Sequence, residues 1–145
     1  MLPLPPGGYF TQTTSTMSFT RFYPIGIPGR PWGPEEVAQW RARQVRQRSY
    51  ADDVLRPVEA LRGAFDVASY GEVVYGEERF ALLALRSRQW QVDLPTALVT
   101  GGVHGYETSG VHGALRFAQE AAAGFAGRVN LLIAPCVSPW AYERI

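Results

Sequence analysis

Lysine is absent from this chain: all 14 basic residues are arginine, set against 13 acidic ones for a net charge of +1. So even a balance gives no electrostatic case for nucleic acid or an anionic membrane as partner. The arginine-only usage reads as genome composition more than chemistry. Cysteine is nearly absent too. The single Cys136 excludes an internal disulfide and fits a reducing compartment, which places the chain in the cytoplasm. No run approaches the roughly 18 apolar residues of a membrane span. The first 20 residues carry Pro3, Pro5, Pro6 and a Thr/Ser-rich stretch but no charge before Arg21, so both the positive and the apolar region of a secretory signal are missing. They read as a disordered lead-in, with Met17 as an alternative start, ahead of one domain over residues 21–145. No internal repeat, Gly-x-Ser-x-Gly elbow or phosphate-binding glycine loop occurs; Thr108-Ser109-Gly110 has the wrong partners and Gly101-Gly102-Val103-His104-Gly105 the wrong spacing.

What is present suffices for a core: 145 residues, 46% of them hydrophobic. A Pro/Gly-punctuated loop over residues 23–34 leads into a helix start, with Pro34 in the first turn and Glu35-Glu36 at the positive helix end. That helix is expected to run to about residue 48, with Arg41, Arg43, Arg46 and Arg48 as a solvated face. Ser49 to Asp52 offers a cap for a second helix, where Val54, Val58, Leu61 and Phe65 form a stripe and Pro57 forces a kink or a new turn. Residues 66–75 and 80–86 read as two strands joined through Gly76-Glu77-Glu78.

The organising stretch follows. Residues 96–100 are short, β-branched and bounded by Pro95 and Gly101-Gly102, which predicts a buried strand. From Glu107 the period changes to helical: Val111, Ala114, Leu115, Ala118 and Ala122 share one face, and Arg116, Gln119, Glu120 and Ala123 the other. Residues 128–134 form a near-continuous apolar strand, expected to be buried on both faces. Strand, helix and strand make a right-handed unit with parallel strands. The fold class is therefore α/β, a mixed and largely parallel sheet with flanking helices. The chain stops at Ile145 directly after its fourth strand, with no terminating helix expected, so the sequence reads as the front part of a longer domain.

Between that strand and helix sit His104 and Glu107. Imidazole nitrogen and carboxylate oxygen are zinc ligands, and a catalytic zinc takes three protein ligands plus a water. Glu107 lies on the stripe of Val111 and Ala114, which would carry it over the sheet edge and away from solvent. Spacing alone leaves two readings open: a metal pair, or a histidine beside an ordinary helix-start acid. His112, five residues past Glu107, is about 140° round the helix and reads as solvated or as a support to a ligand. Cys136 reads as a small buried hydrophobe.

The segment Gly101-Gly102-Val103-His104-Gly105-Tyr106-Glu107-Thr108-Ser109-Gly110 resembles the zinc metallocarboxypeptidases of the carboxypeptidase A type, the M14 family. Ala134-Pro135-Cys136-Val137-Ser138-Pro139-Trp140-Ala141-Tyr142-Glu143-Arg144 is similar to that family's Pro-x-x-Asn-Pro-Asp-Gly-Tyr-Glu segment, with Ser138, Trp140 and Ala141 as departures. The resemblance covers residues 70–145. It implies a zinc-carboxypeptidase-like fold, a Zn2+ cofactor, and His104 and Glu107 as two of three zinc ligands. Glu107 then matches the ligand and not the general base. The third ligand, a histidine, the base glutamate and the substrate-carboxylate arginines would lie downstream of Ile145, so no catalytic residue falls within these 145. The implied activity is hydrolysis of a C-terminal peptide or related amide bond, with a peptide or N-acyl amino acid as substrate and this chain inactive alone. Three alternatives stand beside it: an N-acyl amino acid amidohydrolase of the aspartoacylase type, a non-catalytic α/β module, and a truncated serine hydrolase using Val103-His104-Gly105 as an oxyanion loop.

Overall fold

A computed structural model describes residues 24–145; the lead-in over residues 1–20 and Met17 lie outside the described residues. The chain divides into two units, residues 1–39 and 40–145. In the first, Ile25 is buried and Gly33 N–H donates to Glu36 Oε2 at 2.9 Å, closing the turn that launches a helix. That helix, α1 (Pro34–Ala42), begins where Pro34 and the Glu35-Glu36 pair predict, and ends six residues early. Its carboxyl end belongs to the second unit, as does everything that follows.

The second unit is a four-stranded mixed sheet with helices packed on it. A single π-turn (Ala51–Leu55) runs into α2 (Arg56–Ala60), with Pro57 in the first turn of the new helix, where its missing N–H costs nothing. Ser49 Oγ accepts from Asp52 N–H at 3.1 Å, the expected cap. Two long strands, β1 (Phe65–Tyr75) and β2 (Glu78–Ser87), form an antiparallel hairpin. Its register shifts between Ser69 and Gly71, and across that irregularity the core-facing series on β2 passes from Leu85 and Leu83 to Phe80. Next come β3 (Thr96–Thr100), α3 (Thr108–Arg116) with its irregular extension to Phe125, β4 (Asn130–Ala134) and α4 (Pro139–Arg144).

The sheet order is β1-β2-β4-β3. The β3–α3–β4 unit is parallel, as expected, while β1–β2 and β2–β4 are antiparallel. The sheet is thus mixed, with a smaller parallel share than "largely parallel" implies. Central β4 is buried on both sides, with only Leu132 partly open. The expectation for β3 needs correction. It is the edge strand, so alternate residues face out and Leu98 is 64% exposed.

Val111, Ala114, Leu115, Ala118 and Ala122 are all buried, and the face carrying Arg116 and Glu120 is exposed. Val54, Val58, Leu85, Val111 and Ile133 have no exposed surface. Burying a side chain of this size contributes about 1.5–3 kcal/mol, against about 0–1 kcal/mol for a surface pair such as Arg116–Glu120. The apolar layer between helix and sheet therefore decides stability.

Two further departures share a cause. The chain does not end on a strand: α4 follows β4, launched by Ser138-Pro139, the helix-start signal already seen at Pro34. Residues 43–48 leave the helix because α4 claims them. Gln47 N–H and Arg48 N–H both donate to the carbonyl of Glu143. Arg46 reaches Glu143 Oε1 at 3.0 Å, and Arg48 Nη1 donates at 2.7 Å to the carbonyls of Tyr142 and Ile145. Arg46 and Arg48 are a clamp on the carboxyl end of α4 and not a solvated helix face. Among the described residues no helix is long and apolar enough to cross a membrane.

At the opposite end of the sheet, buried Asn130 fastens the loop before β3. Its Oδ1 accepts from Gln91 N–H at 2.9 Å, and its Nδ2 donates to the Gln91 carbonyl at 2.6 Å and the Leu94 carbonyl at 3.2 Å. Asn130→Ala takes the partner from Gln91 N–H and from the Gln91 and Leu94 carbonyls at a part-buried site. Chemical denaturation should show a loss of about 1–3 kcal/mol with an unchanged denaturant slope.

Candidate functional site

The candidate site forms where β3 and β4 end and their chains run on side by side. Gly101 N–H donates to the Ala134 carbonyl at 2.9 Å, carrying the parallel ladder one step past the strand. Val137 N–H and Ser138 N–H then donate to the carbonyls of Gly101 and Gly102 at 3.0 and 3.1 Å. Contact this close leaves no room for side chains. A Cβ on Gly101 would lie 2.5 Å from the carbonyl oxygens of Gly110 and Pro135, and one on Gly105 would lie 2.1 Å from the carbonyl carbon of Ala141. Gly102 adds a φ of +62°, the left-handed region that glycine enters without strain.

This backbone seam presents the two predicted residues together. His104 Nδ1 lies 3.1 Å from Glu107 Oε2, and the loop closes with Glu107 N–H donating to the His104 carbonyl at 3.2 Å. Glu107 is the N-cap of α3, with φ −87° and ψ 77°, yet its carboxylate makes no capping bond and turns back to the histidine. Lying outside the helix, it also leaves the helical stripe. Its side chain is 53% exposed and that of His104 is 61% exposed, so the expectation that Glu107 avoids solvent is corrected. The Tyr106 ring runs nearly parallel to the His104 ring, centroids 6.2 Å apart.

The donor set can be tested against a metal. Two ligand atoms on a tetrahedral zinc, each at about 2.1 Å, stand about 3.4 Å apart. The observed 3.1 Å is close to that separation. The same distance suits a hydrogen bond, in which the imidazole carries a proton between the two atoms; a cation would take that proton's place. Imidazole and carboxylate thus fit two corners of a zinc site. Among the described residues no group of three or more His, Cys, Asp or Glu gathers anywhere, so a third corner is not supplied by them. His112 lies exposed on the solvent face of α3, as its spacing predicts.

Cys136 fits its bland reading. It is 1% exposed within the core, its sulfur against Gly102, and burial pushes its thiol up to about 11. A thiol held protonated at neutral pH is no nucleophile. Ser138, marked in the sequence only as a departure from the family segment, has a structural role that the sequence did not disclose. Instead of capping α4, its hydroxyl donates to the Val103 carbonyl at 3.1 Å, stitching the loop before His104 to the start of α4.

With this geometry in view, comparison with solved structures yields a consistent set of neighbours. A crystal structure from Shewanella denitrificans OS217 matches with a TM-score of 0.52 and 27% identity, covering 66% of this chain and 36% of that one. One from Shewanella amazonensis SB2B matches at 0.51 and 26%, covering 66% and 35%, and one from Shewanella baltica OS155 at 0.51 and 28%, covering 66% and 35%. All three bear a provisional metallopeptidase name. The fold is of the metallopeptidase type. The chain spans about a third of the length of these structures. No family model and no curated protein matches it.

Two outcomes follow. Gly105→Ala forces the loop off Ala141, and thermal or chemical unfolding should show a loss of about 3 kcal/mol. Cys136 holds its proton more tightly when folded than when unfolded. Its contribution to stability is therefore full below pH 9 and is lost as pH rises through about 11. Denaturation curves across that range should decline, and Cys136→Ala should flatten the early part of the decline.

Proposed function

We propose that this chain is the amino-terminal part of a zinc-dependent metallopeptidase of the carboxypeptidase type. The observation that carries the proposal is the His104 Nδ1 to Glu107 Oε2 distance of 3.1 Å, on a glycine-built loop at the carboxyl end of a strand. That is where open α/β sheets place their ligands. The provisional metallopeptidase names of the three structural neighbours support the same reading. His104 and Glu107 supply two of three zinc ligands; the third ligand and the general base come from residues beyond these 145. When bound, the metal would polarise a scissile carbonyl and a water molecule.

What these residues do themselves is position and orient. The Gly101–Ala134 and Gly102–Ser138 backbone bonds fix the height of the loop over the sheet. With no capping bond to make, the Glu107 carboxylate turns to His104, where its oxygen would serve as a metal ligand. The substrate is a peptide or N-acyl amino acid cleaved at a C-terminal peptide or related amide bond. With two protein ligands, metal affinity is low and turnover is absent. The single buried cysteine fits a reducing compartment, and we place the protein in the cytoplasm.

Metal titration tests the reading. Competition between the 145-residue chain and a fluorescent zinc chelator should show weak one-to-one binding. His104→Ala and Glu107→Ala should each weaken it about tenfold or more while leaving the far-ultraviolet circular dichroism unchanged. Equal zinc binding by wild type and both variants would show that the pair is ordinary loop chemistry and remove the proposal. A second check is independent of the metal. In-frame translation of the nucleotides that follow the Ile145 codon should supply a histidine after a further strand, then a glutamate.

A further inference from the structure

Beside the His104 loop, two cavities adjoin. The larger, about 340 Å³, is lined by Tyr75, Trp140, Arg41, Arg144, Gln44 and Glu78 among others. The smaller, about 100 Å³, shares Tyr75 and Trp140 and runs on to Ser138 and Ala141. Those last two residues touch the candidate site, Ser138 through the Val103 carbonyl and Ala141 against Gly105. The pair of cavities therefore forms one trough leading away from the loop that carries His104.

The trough has an aromatic floor and a cationic end. Tyr75 and Trp140 stack at 5.0 Å between ring centroids and 29° between planes, and Trp40 lies behind Trp140 at 6.2 Å. Tyr75 keeps 39% of its surface exposed, while Trp140 is partly buried against the core. Arg144 is paired with Glu78, so those two charges cancel. Arg41 is exposed on the last turn of α1, and among the described residues its guanidinium has no ion pair or hydrogen bond. The local sum is one free positive charge beside a planar apolar surface.

We propose that this trough is a subsite for an acidic peptide segment, with an apolar or aromatic side chain laid on Tyr75 and Trp140 and a neighbouring carboxylate paired with Arg41. Guanidinium and carboxylate match in geometry as a two-bond fork, and stacking supplies area at little entropic cost. The net charge of +1 supplies no wider cationic surface of the kind a nucleic acid backbone needs, which favours a peptide over an oligonucleotide. The assignment deepens the peptidase reading by naming a substrate class and rests on it, although binding in the trough requires no metal.

The test is a titration in chelator, followed by the indole N–H signals of Trp140 and Trp40. The probes are N-acetyl-Glu-Phe-Glu-amide, its Gln-Phe-Gln counterpart and an eight-residue oligouridine. The acidic peptide should shift the Trp140 signal and bind about fivefold or more tighter than the neutral one. Arg41→Gln should remove that preference, while Arg43→Gln, a charge just outside the trough, should leave it intact. Absence of a Trp140 shift, equal binding of the two peptides, equal effects of the two substitutions, or tighter binding of the oligouridine would each overturn the assignment. Because metal is absent throughout, equal zinc binding by the wild type and the His104 and Glu107 variants, which removes the metal reading, leaves this titration unmoved, and the two readings fall separately.

Discussion

The seam between the loop after β3 and the chain leaving β4 is the constraint on which the site depends. Two backbones lie so close there that Gly101 and Gly105 leave no space for a methyl group. Three hydrogen bonds, from Gly101 to Ala134, Val137 to Gly101 and Ser138 to Gly102, turn the contact into an extension of the parallel ladder. A histidine on a free loop would sample many positions. Here the carbonyls on both sides of His104 are held, that of Val103 by the Ser138 hydroxyl and that of His104 by Glu107 N–H. The loop is held by its backbone, while the His104 and Glu107 side chains remain exposed.

That seam holds only while α4 stays where it is, and α4 is short. Six residues form few internal hydrogen bonds, and a helix of that length is marginal by itself. Its anchors come from far away in sequence. Arg48 takes up the carbonyls of Tyr142 and Ile145, Arg46 and Tyr50 N–H share the carboxylate of buried Glu143, and the Tyr142 hydroxyl donates to Asp53. Glu143 is nearly buried while Arg46 is 55% exposed, so removing one member of this part-buried set costs on the order of 1–3 kcal/mol. The segment over residues 46–53 therefore acts at a distance on the His104 loop, through α4 and Ala141.

Local signals made the site's frame legible and left its supports hidden. The change of period at Glu107, the glycine pair at Gly101-Gly102 and the near-continuous apolar run at residues 128–134 each specify an element without reference to the rest of the chain. The β3–α3–β4 unit follows from them by handedness. Edge and centre are different, because a strand's position in the sheet is a tertiary property. The composition of β3 matches a buried strand, yet the sheet order leaves Leu98 open. Arg46 and Arg48 mislead for the same reason. Their spacing suits a helix face, and only a carboxylate 97 residues away explains why the chain leaves the helix before them. The start of α4 was readable from Ser138-Pro139, the same signal that locates α1. His104 and Glu107 stand together as the motif implies, but exposure could not be read from spacing, since it depends on Glu107 being a cap and not a first-turn residue.

The two donors and the trough divide the chemistry in a physically sensible way. A half-exposed imidazole and carboxylate keep contact with water, and two ligands cannot fix a tetrahedral geometry or exclude solvent. Strong binding of a substrate at this spot cannot therefore rest on the pair itself. Aromatic surface a short way along the same groove can supply it, since contact area contributes without demanding exact placement of charge. The Tyr75–Trp140 stack also touches the seam, because Trp140 adjoins Ala141, whose carbonyl carbon lies where a Cβ on Gly105 would have to sit. The ring stack and the His104 loop are thus one residue step apart along α4, Trp140 meeting Tyr75 and Ala141 meeting Gly105.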